Sequence, residues 1–154
     1  MNINDFLKIE RIIIGGRAAN KRQVLELLAE LLAKDNTNLN FGKILKGLLE
    51  RECLGGTSLG NGIAIPHSRI NEGEHIIGAF LQLNRGIAFD AIDNEKVDLF
   101  FALLIPDQAV QEHLFILSRL ARLFNDAKFC HRIRKAYNSA SAYELFINEW
   151  SNYE

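Results

Sequence analysis

The chain has 154 residues, 48% apolar and 24% charged, with a formal net charge of −1, which is the balance expected of a single globular domain spanning 1–154. Without a polybasic run or an acidic tail it is poorly suited to nucleic acid or an anionic membrane surface as main partner. Its two cysteines, Cys53 and Cys130, form neither a disulfide framework nor a zinc knuckle, residues 1–5 lack a signal-peptide pattern, and the longest apolar stretch, 99–105, is too short to span a bilayer, so a cytoplasmic protein with reduced thiols and no membrane insertion is expected.

Residues 9–14 read as a first strand closed by Gly15 and Gly16. A helix over 20–34 follows, with Val24, Leu27, Leu28, Leu31 and Leu32 on one stripe. The polar cluster 35–38 is a turn, and a second helix over 41–51 repeats the pattern through Phe41, Ile44, Leu45, Leu48 and Leu49. A glycine-rich loop leads into a strand at 62–65. Residues 75–83 form a further strand and 97–105 a central one, since unbroken apolar runs suit strands covered on both faces. The last third is helical: 108–124 with Val110, Leu114, Leu117, Ala121 and Phe124 inward; 128–137 after Asn125-Asp126; and a final helix with Tyr143, Ile147 and Trp150 on one face, for which Ser141 and Glu144 form a capping box. The fold class is α/β, a layered sandwich with a central mixed sheet flanked by helices and a helical C-terminal third.

Chemistry concentrates at Gly60-Asn61-Gly62-Ile63-Ala64-Ile65-Pro66-His67. Pro66 fixes its own φ and biases Ile65 to an extended conformation, so the strand is expected to end there and present His67 at its rim. Gly55, Gly56, Gly60 and Gly62 allow tight turns that bring bare N–H groups near whatever His67 carries. An exposed imidazole beside a donor-rich loop suits a histidine that accepts and donates a phosphoryl group. Arg51 and Arg69 flank the loop and could bind a phosphate through charge-assisted hydrogen bonds, or could be solvated.

The remaining histidines read more plainly. His113 sits at the edge of a helical apolar stripe, the usual place of a satisfied core histidine; it becomes functional only if the helix start faces the glycine loop. His75 and His131 lie in charged surroundings and read as surface residues. No ligand spacing for a metal is present, and the glycine loop lacks the Lys-Ser/Thr of a P-loop and the placement of a dinucleotide fingerprint. Neither a metal nor a cofactor is expected. Ser68 lacks a G-x-S-x-G setting for hydrolase chemistry.

Arg51-Glu52, Thr57 and the run from Leu59 to His67 resemble the active-site segment of phosphotransferase-system IIA domains of the fructose–mannitol class. The segment 87–94 (Ile-Ala-Phe-Asp-Ala-Ile-Asp-Asn), with Val97-Asp98-Leu99 and the run from Ala102 to Pro106, looks most like the nitrogen-regulatory branch, IIA-Ntr, and the resemblance covers essentially the whole chain. It implies a mannitol-type IIA fold and phosphorylation of His67 on Nε2. The donor it implies is a small HPr-like phosphocarrier, called NPr in the regulatory branch. His113 matches the family's second histidine and would orient His67 or bond the phosphate, and Arg51 matches the arginine beside the site.

Combining residues and resemblance, the phosphate-binding set is expected to be Arg51, Thr57, Gly60, Asn61 and Gly62, with His67 as acceptor. The activity is that of a phosphoryl carrier rather than a small-molecule enzyme: positioning and charge stabilisation do most of the work. Regulated partners would be transporters or sensor kinases. The competing expectations are the IIA component of a sugar permease passing phosphate to a IIB domain, a binding module whose His67 is never phosphorylated, and a nucleotide-binding enzyme, which no motif supports.

Overall fold

The computed structural model describes residues 1–34 and 39–153, so the turn expected at 35–38 lies outside the described residues. Among the described residues six strands, β1 (Ile12–Gly16), β2 (Ser58–Gly60), β3 (Ile63–Ala64), β4 (His67–Ile70), β5 (Ile77–Ile87) and β6 (Val97–Pro106), form one mixed sheet in the order β1-β5-β6-β3-β2, with β4 also on β6. Pairing is parallel for β1 with β5 and for β3 and β4 with β6, and antiparallel for β5 with β6 and β2 with β3.

The layers follow from the alternation of side chains along β6. Leu99, Phe101, Leu103 and Ile105 face one core, which they share with α3 (Val110–Phe124), α4 (Ala127–Arg134) and α5 (Ser139–Trp150). Phe100, Ala102 and Leu104 face the other, under α1 (Lys21–Ala33) and α2 (Phe41–Leu54). Burial on both faces is why 97–105 reads as an uninterrupted apolar run, and β6 is the central strand that run predicts. The first core is aromatic: Phe80, Phe101, Phe124, Phe129 and Phe146 meet mostly edge to face, the arrangement ring quadrupoles favour.

Several boundaries and faces differ from the sequence reading. Residues 9–11 form a 3₁₀ turn in which the Arg11 guanidinium is buried and bonded to the carbonyls of Phe6 and Gly78, so β1 starts at Ile12. β5 starts at Ile77 rather than 75, and α4 ends at Arg134 rather than 137. The cap of α5 lies one turn earlier than expected: Asn138 Oδ1 accepts from the Ser141 N–H while Ser141 Oγ accepts from the Asn138 N–H. That helix buries Ala142, Phe146 and Trp150, leaving Ile147 outside.

The largest difference is in α3. Its buried residues are His113, Ile116, Arg119, Leu120, Leu123 and Phe124, whereas Val110 and Leu114, expected inward, are 40% and 63% exposed. Two apolar stripes run along this helix, and periodicity cannot say which one meets the sheet. The Arg119 guanidinium lies under the last turn of α5, bonded to the carbonyls of Met1 and Trp150 and stacked on the Trp150 ring at 4.1 Å. An arginine whose two terminal nitrogens bond carbonyls thus fills a place on the core stripe with its stem.

Candidate functional site

His67 opens β4 with Leu103 as its partner on β6. Pro66 interrupts the strand rather than ending it: β3 and β4 run along β6 in one register, Ile63 opposite Leu99 and His67 opposite Leu103, and the Pro66 carbonyl still accepts from the Leu103 N–H at 3.0 Å. A proline on this side of the strand removes one donor and leaves the ladder otherwise intact. The half-buried imidazole is fixed by a 2.8 Å hydrogen bond between Nδ1 and the Ile65 carbonyl. A carbonyl only accepts, so Nδ1 carries the proton and, in the neutral ring, Nε2 carries the lone pair. Burial pushes the His67 pKa below its ordinary value and the Arg51 charge adds to this, with the Ile65 carbonyl and Glu52 acting the other way. The neutral, nucleophilic form is therefore favoured.

α2 holds its side of the site close to β4. A Cβ at Gly47 would collide with Ser68 Oγ, so glycine there lets the helix lie directly on the strand. In the last turn, the Arg51 Nη1 bonds the Gly55 carbonyl at 2.7 Å, closing the helix end and keeping the guanidinium beside the loop at 55–57. Arg51, Gly56, Thr57, Ser58, Leu59, Ile65 and His67 line an open cleft of about 370 Å³, completed by Leu117, Ser118 and Ala121 from α3. The Thr57 hydroxyl donates to the buried Glu52 carboxylate.

His113 arrives from the first turn of α3, its ring centroid 5.4 Å from that of His67. It is buried, and its Nε2 has no hydrogen-bond partner among the described residues. Burial lowers its pKa, and repulsion from His67 and Arg69 lowers it further. The helix start thus faces His67 itself rather than the glycine loop of the sequence expectation, and α3 meets the cleft further along, through Leu117, Ser118 and Ala121. Arg69 itself lines a different depression with Lys43 and Asp107. His75 and His131 are exposed, as their surroundings suggest.

The structure thus brings His67, His113, Arg51 and Thr57 together, but it does not bring Gly60, Asn61 and Gly62 to them. Those three form the β2–β3 turn, all at positive φ (83°, 57° and 83°). Ile63 pairs four residues before His67 along β6, an offset of about 13 Å at the usual rise per residue. Two donors of the turn are also engaged: Gly60 N–H bonds Ser58 Oγ at 3.2 Å and Asn61 N–H bonds Asp93 Oδ2 at 2.9 Å. The turn instead borders a second cleft with Asp98 and Arg134, where Arg134 grips the Asp98 carboxylate and the Asn61 carbonyl. The glycine that does line the His67 cleft is Gly56, and the Gly56 and Thr57 N–H groups have no hydrogen-bond partner among the described residues.

Sequence reading places Glu52 in the resembling segment but assigns it no role of its own, and it gives Lys21 neither. Glu52 is four residues after Leu48 on the buried stripe of α2, a position where a carboxylate needs a cation or donors to be stable. That spacing was the available signal. Its partner, Lys21 at the start of α1, reaches it at 3.0 Å. Among the described residues no helix is long and apolar enough to cross a membrane.

Residues 5–149 match the family model described as "Phosphoenolpyruvate-dependent sugar phosphotransferase system, EIIA 2". The chain is 42% identical over 136 residues to a nitrogen regulatory protein of Klebsiella oxytoca, covering 88% of this chain and 83% of the relative. The crystal structure of the nitrogen regulatory protein IIA-Ntr from Neisseria meningitidis superposes with a TM-score of 0.88 at 30% identity, over 94% of this chain and 98% of that one. The mannitol IIA of Escherichia coli shares the fold, with a TM-score of 0.76 at 22% identity over 91% and 98% of the two chains.

Proposed function

The chain belongs to the EIIA 2 family of the phosphoenolpyruvate-dependent sugar phosphotransferase system, and we propose that it is a nitrogen-regulatory member, acting as a single domain that accepts a phosphoryl group on His67 Nε2 from an HPr-like carrier such as NPr. The observation that carries this reading is the Nδ1–H···O=C bond to Ile65. It selects Nε2 as the nucleophile and keeps the ring from rotating. As Nε2 attacks phosphorus, the donor's P–N bond breaks and its electron pair returns to the donor imidazole. The His67 ring gains positive charge, and its bond to the Ile65 carbonyl becomes charge-assisted and stronger.

The oxygens in transit meet the Arg51 guanidinium and the Gly56 and Thr57 N–H groups, donors already in place before reaction. His113 Nε2, buried without a partner, gains one when a phosphate oxygen arrives. Gly60, Asn61 and Gly62 take no part. Phosphorylation then places roughly −1.5 to −2 charges beside Leu59, an exposed apolar residue of the cleft, so a regulated transporter or sensor kinase that docks on the neutral rim is released from the charged one.

Incubation with a phosphorylated HPr-like carrier, followed by intact-mass measurement, tests the reading. One phosphoryl group should be gained, stable in base and lost in acid, as a phosphoramidate is and a phosphoserine is not. Absence of any gain with competent carriers removes the proposal.

A further inference from the structure

Four segments meet behind the His67 cleft on one buried carboxylate. The Glu52 side chain is only 3% exposed. Its Oε1 accepts the Thr57 hydroxyl, and its Oε2 pairs with Lys21 Nζ at 3.0 Å. Lys21 in turn pairs with Asp90 Oδ2 at 3.0 Å and lies over the Phe89 ring at 4.7 Å. The Asp90 carbonyl closes against Gly56, where an added Cβ would come within 3.3 Å of it. Glu52 therefore joins α1, α2, the loop at 55–57 and the segment around Asp90, yet it does not touch His67 and has no part in the transfer just described.

A buried ion pair is weak grounds for a stabilising role, because desolvation offsets most of its attraction and an apolar replacement is often as stable. What this pair does uniquely is fix geometry. Thr57 and Gly56 are cleft residues, and nothing else among the described residues holds the Thr57 hydroxyl. We propose that Glu52 is a positioning residue for phosphoryl acceptance: through Thr57 and Lys21 it holds the 55–57 loop at the distance from His67 that the incoming phosphate requires. This rests on the function proposed above. Among the described residues, Glu52 also contributes the negative charge acting on a site whose other charged or titratable groups are Arg51 from α2, Arg69 from β4 and His113 from α3. Its field opposes that of Arg51 at the imidazole.

Two substitutions test the inference. Glu52→Gln keeps the shape and removes the charge; Thr57→Val keeps the shape and removes the hydroxyl. Both should keep the wild-type circular dichroism and slow acceptance from a phosphorylated HPr-like carrier by up to about 100-fold, the scale of a small misplacement of a reacting group. An NMR titration of the His67 ring separates positioning from mere packing, and it needs no carrier. The midpoint should fall in Glu52→Gln, because the counter-charge to Arg51 is gone, and stay at the wild-type value in Thr57→Val. Wild-type acceptance and an unmoved His67 midpoint in Glu52→Gln, with only a lowered melting temperature, would overturn the inference and leave Glu52 as a structural tether. Should Glu52→Gln fail to fold, Thr57→Val decides: a wild-type rate overturns the inference and a slowed rate upholds it. If the wild-type protein itself accepts no phosphate, the reading of function has failed, an outcome distinct from a failure of Glu52 alone.

Discussion

At 55–57 the chain bends beside His67 with Gly55 and Gly56 exposed, Thr57 tied to a buried carboxylate and two backbone N–H groups unengaged. At 60–62 it bends again, about 13 Å further along β6, with three consecutive residues at positive φ, the Gly60 and Asn61 N–H groups spent on Ser58 and Asp93, and the Asn61 carbonyl held by Arg134. In sequence the two bends are one glycine-rich segment. Glycine allows a tight turn, but an anion site needs donors left over once the turn has closed. The first bend has them beside His67, whereas two of the three at the second, those of Gly60 and Asn61, are already taken.

The comparison breaks most completely at His67. His67→Ala should abolish phosphoryl acceptance while leaving the fold, since the ring is a half-buried residue at the cleft and both cores lie elsewhere. Intact mass after exposure to phosphorylated carrier, alongside circular dichroism, checks it; a folded variant that still gains an acid-labile phosphoryl group would place the acceptor on another residue.

His113→Ala comes next. A positioned hydrogen-bonding group is worth about 10²–10⁴-fold in rate, so acceptance should slow by at least 10²-fold while the melting temperature changes little. The opposite pattern, an unchanged rate with a lower melting temperature, would return His113 to the core and leave His67 and its loop as the whole site.

These two histidines also mark how far the sequence could be read. Pro66 and the strand before it place His67 without any structure, although the strand continues past the proline because only one ladder donor is lost. His113 was ambiguous for the reason α3 was misoriented. Val110, Leu114, Leu117 and Ala121 make as good an apolar stripe as Ile116, Leu120 and Leu123, and only the packing of α3 on the sheet decides between them. The outward stripe is the one that borders the cleft, through Leu117 and Ala121. The central position of β6 and the two-sided core were legible from unbroken apolar runs, but the sheet order was not, because it rests on pairings between strands distant in sequence. The division of the glycine segment was not, because it depends on Asp93 and Arg134, remote in sequence from the turn they occupy.

Gly62→Val sharpens that division. A β-branched residue at φ +83° costs about 1–2 kcal/mol for its conformation alone, and its Cβ would lie 2.6 Å from Arg134 Nη2 and 3.0 Å from Asp98 Oδ1. A loss of about 2 kcal/mol in stability is expected, a fall of roughly 5 °C in melting temperature for a chain of this size, with the acceptance rate of the folded protein unchanged. A strong rate loss at wild-type stability would restore the turn at 60–62 to the site.

The smallest effect expected is on titration, and it isolates the charge at the first bend. Phosphoryl acceptance needs a neutral His67, so the rate should rise with pH through an ionisation lying below the ordinary histidine value of about 6.5. Burial is the main cause of that depression and the Arg51 guanidinium adds to it. In Arg51→Gln the positive neighbour is gone, the imidazolium is less disfavoured, and both the NMR midpoint of His67 and the lower limb of the pH–rate profile should move up while staying below the ordinary value, because burial persists. The plateau rate above that limb should also fall, since the oxygens in transit lose a cation. A midpoint that stays fixed, with the plateau alone reduced, would show that Arg51 acts on the phosphate and not on the ring. A fixed midpoint and an unchanged plateau would remove it from the site and leave the Gly56 and Thr57 N–H groups as the only donors of the first bend.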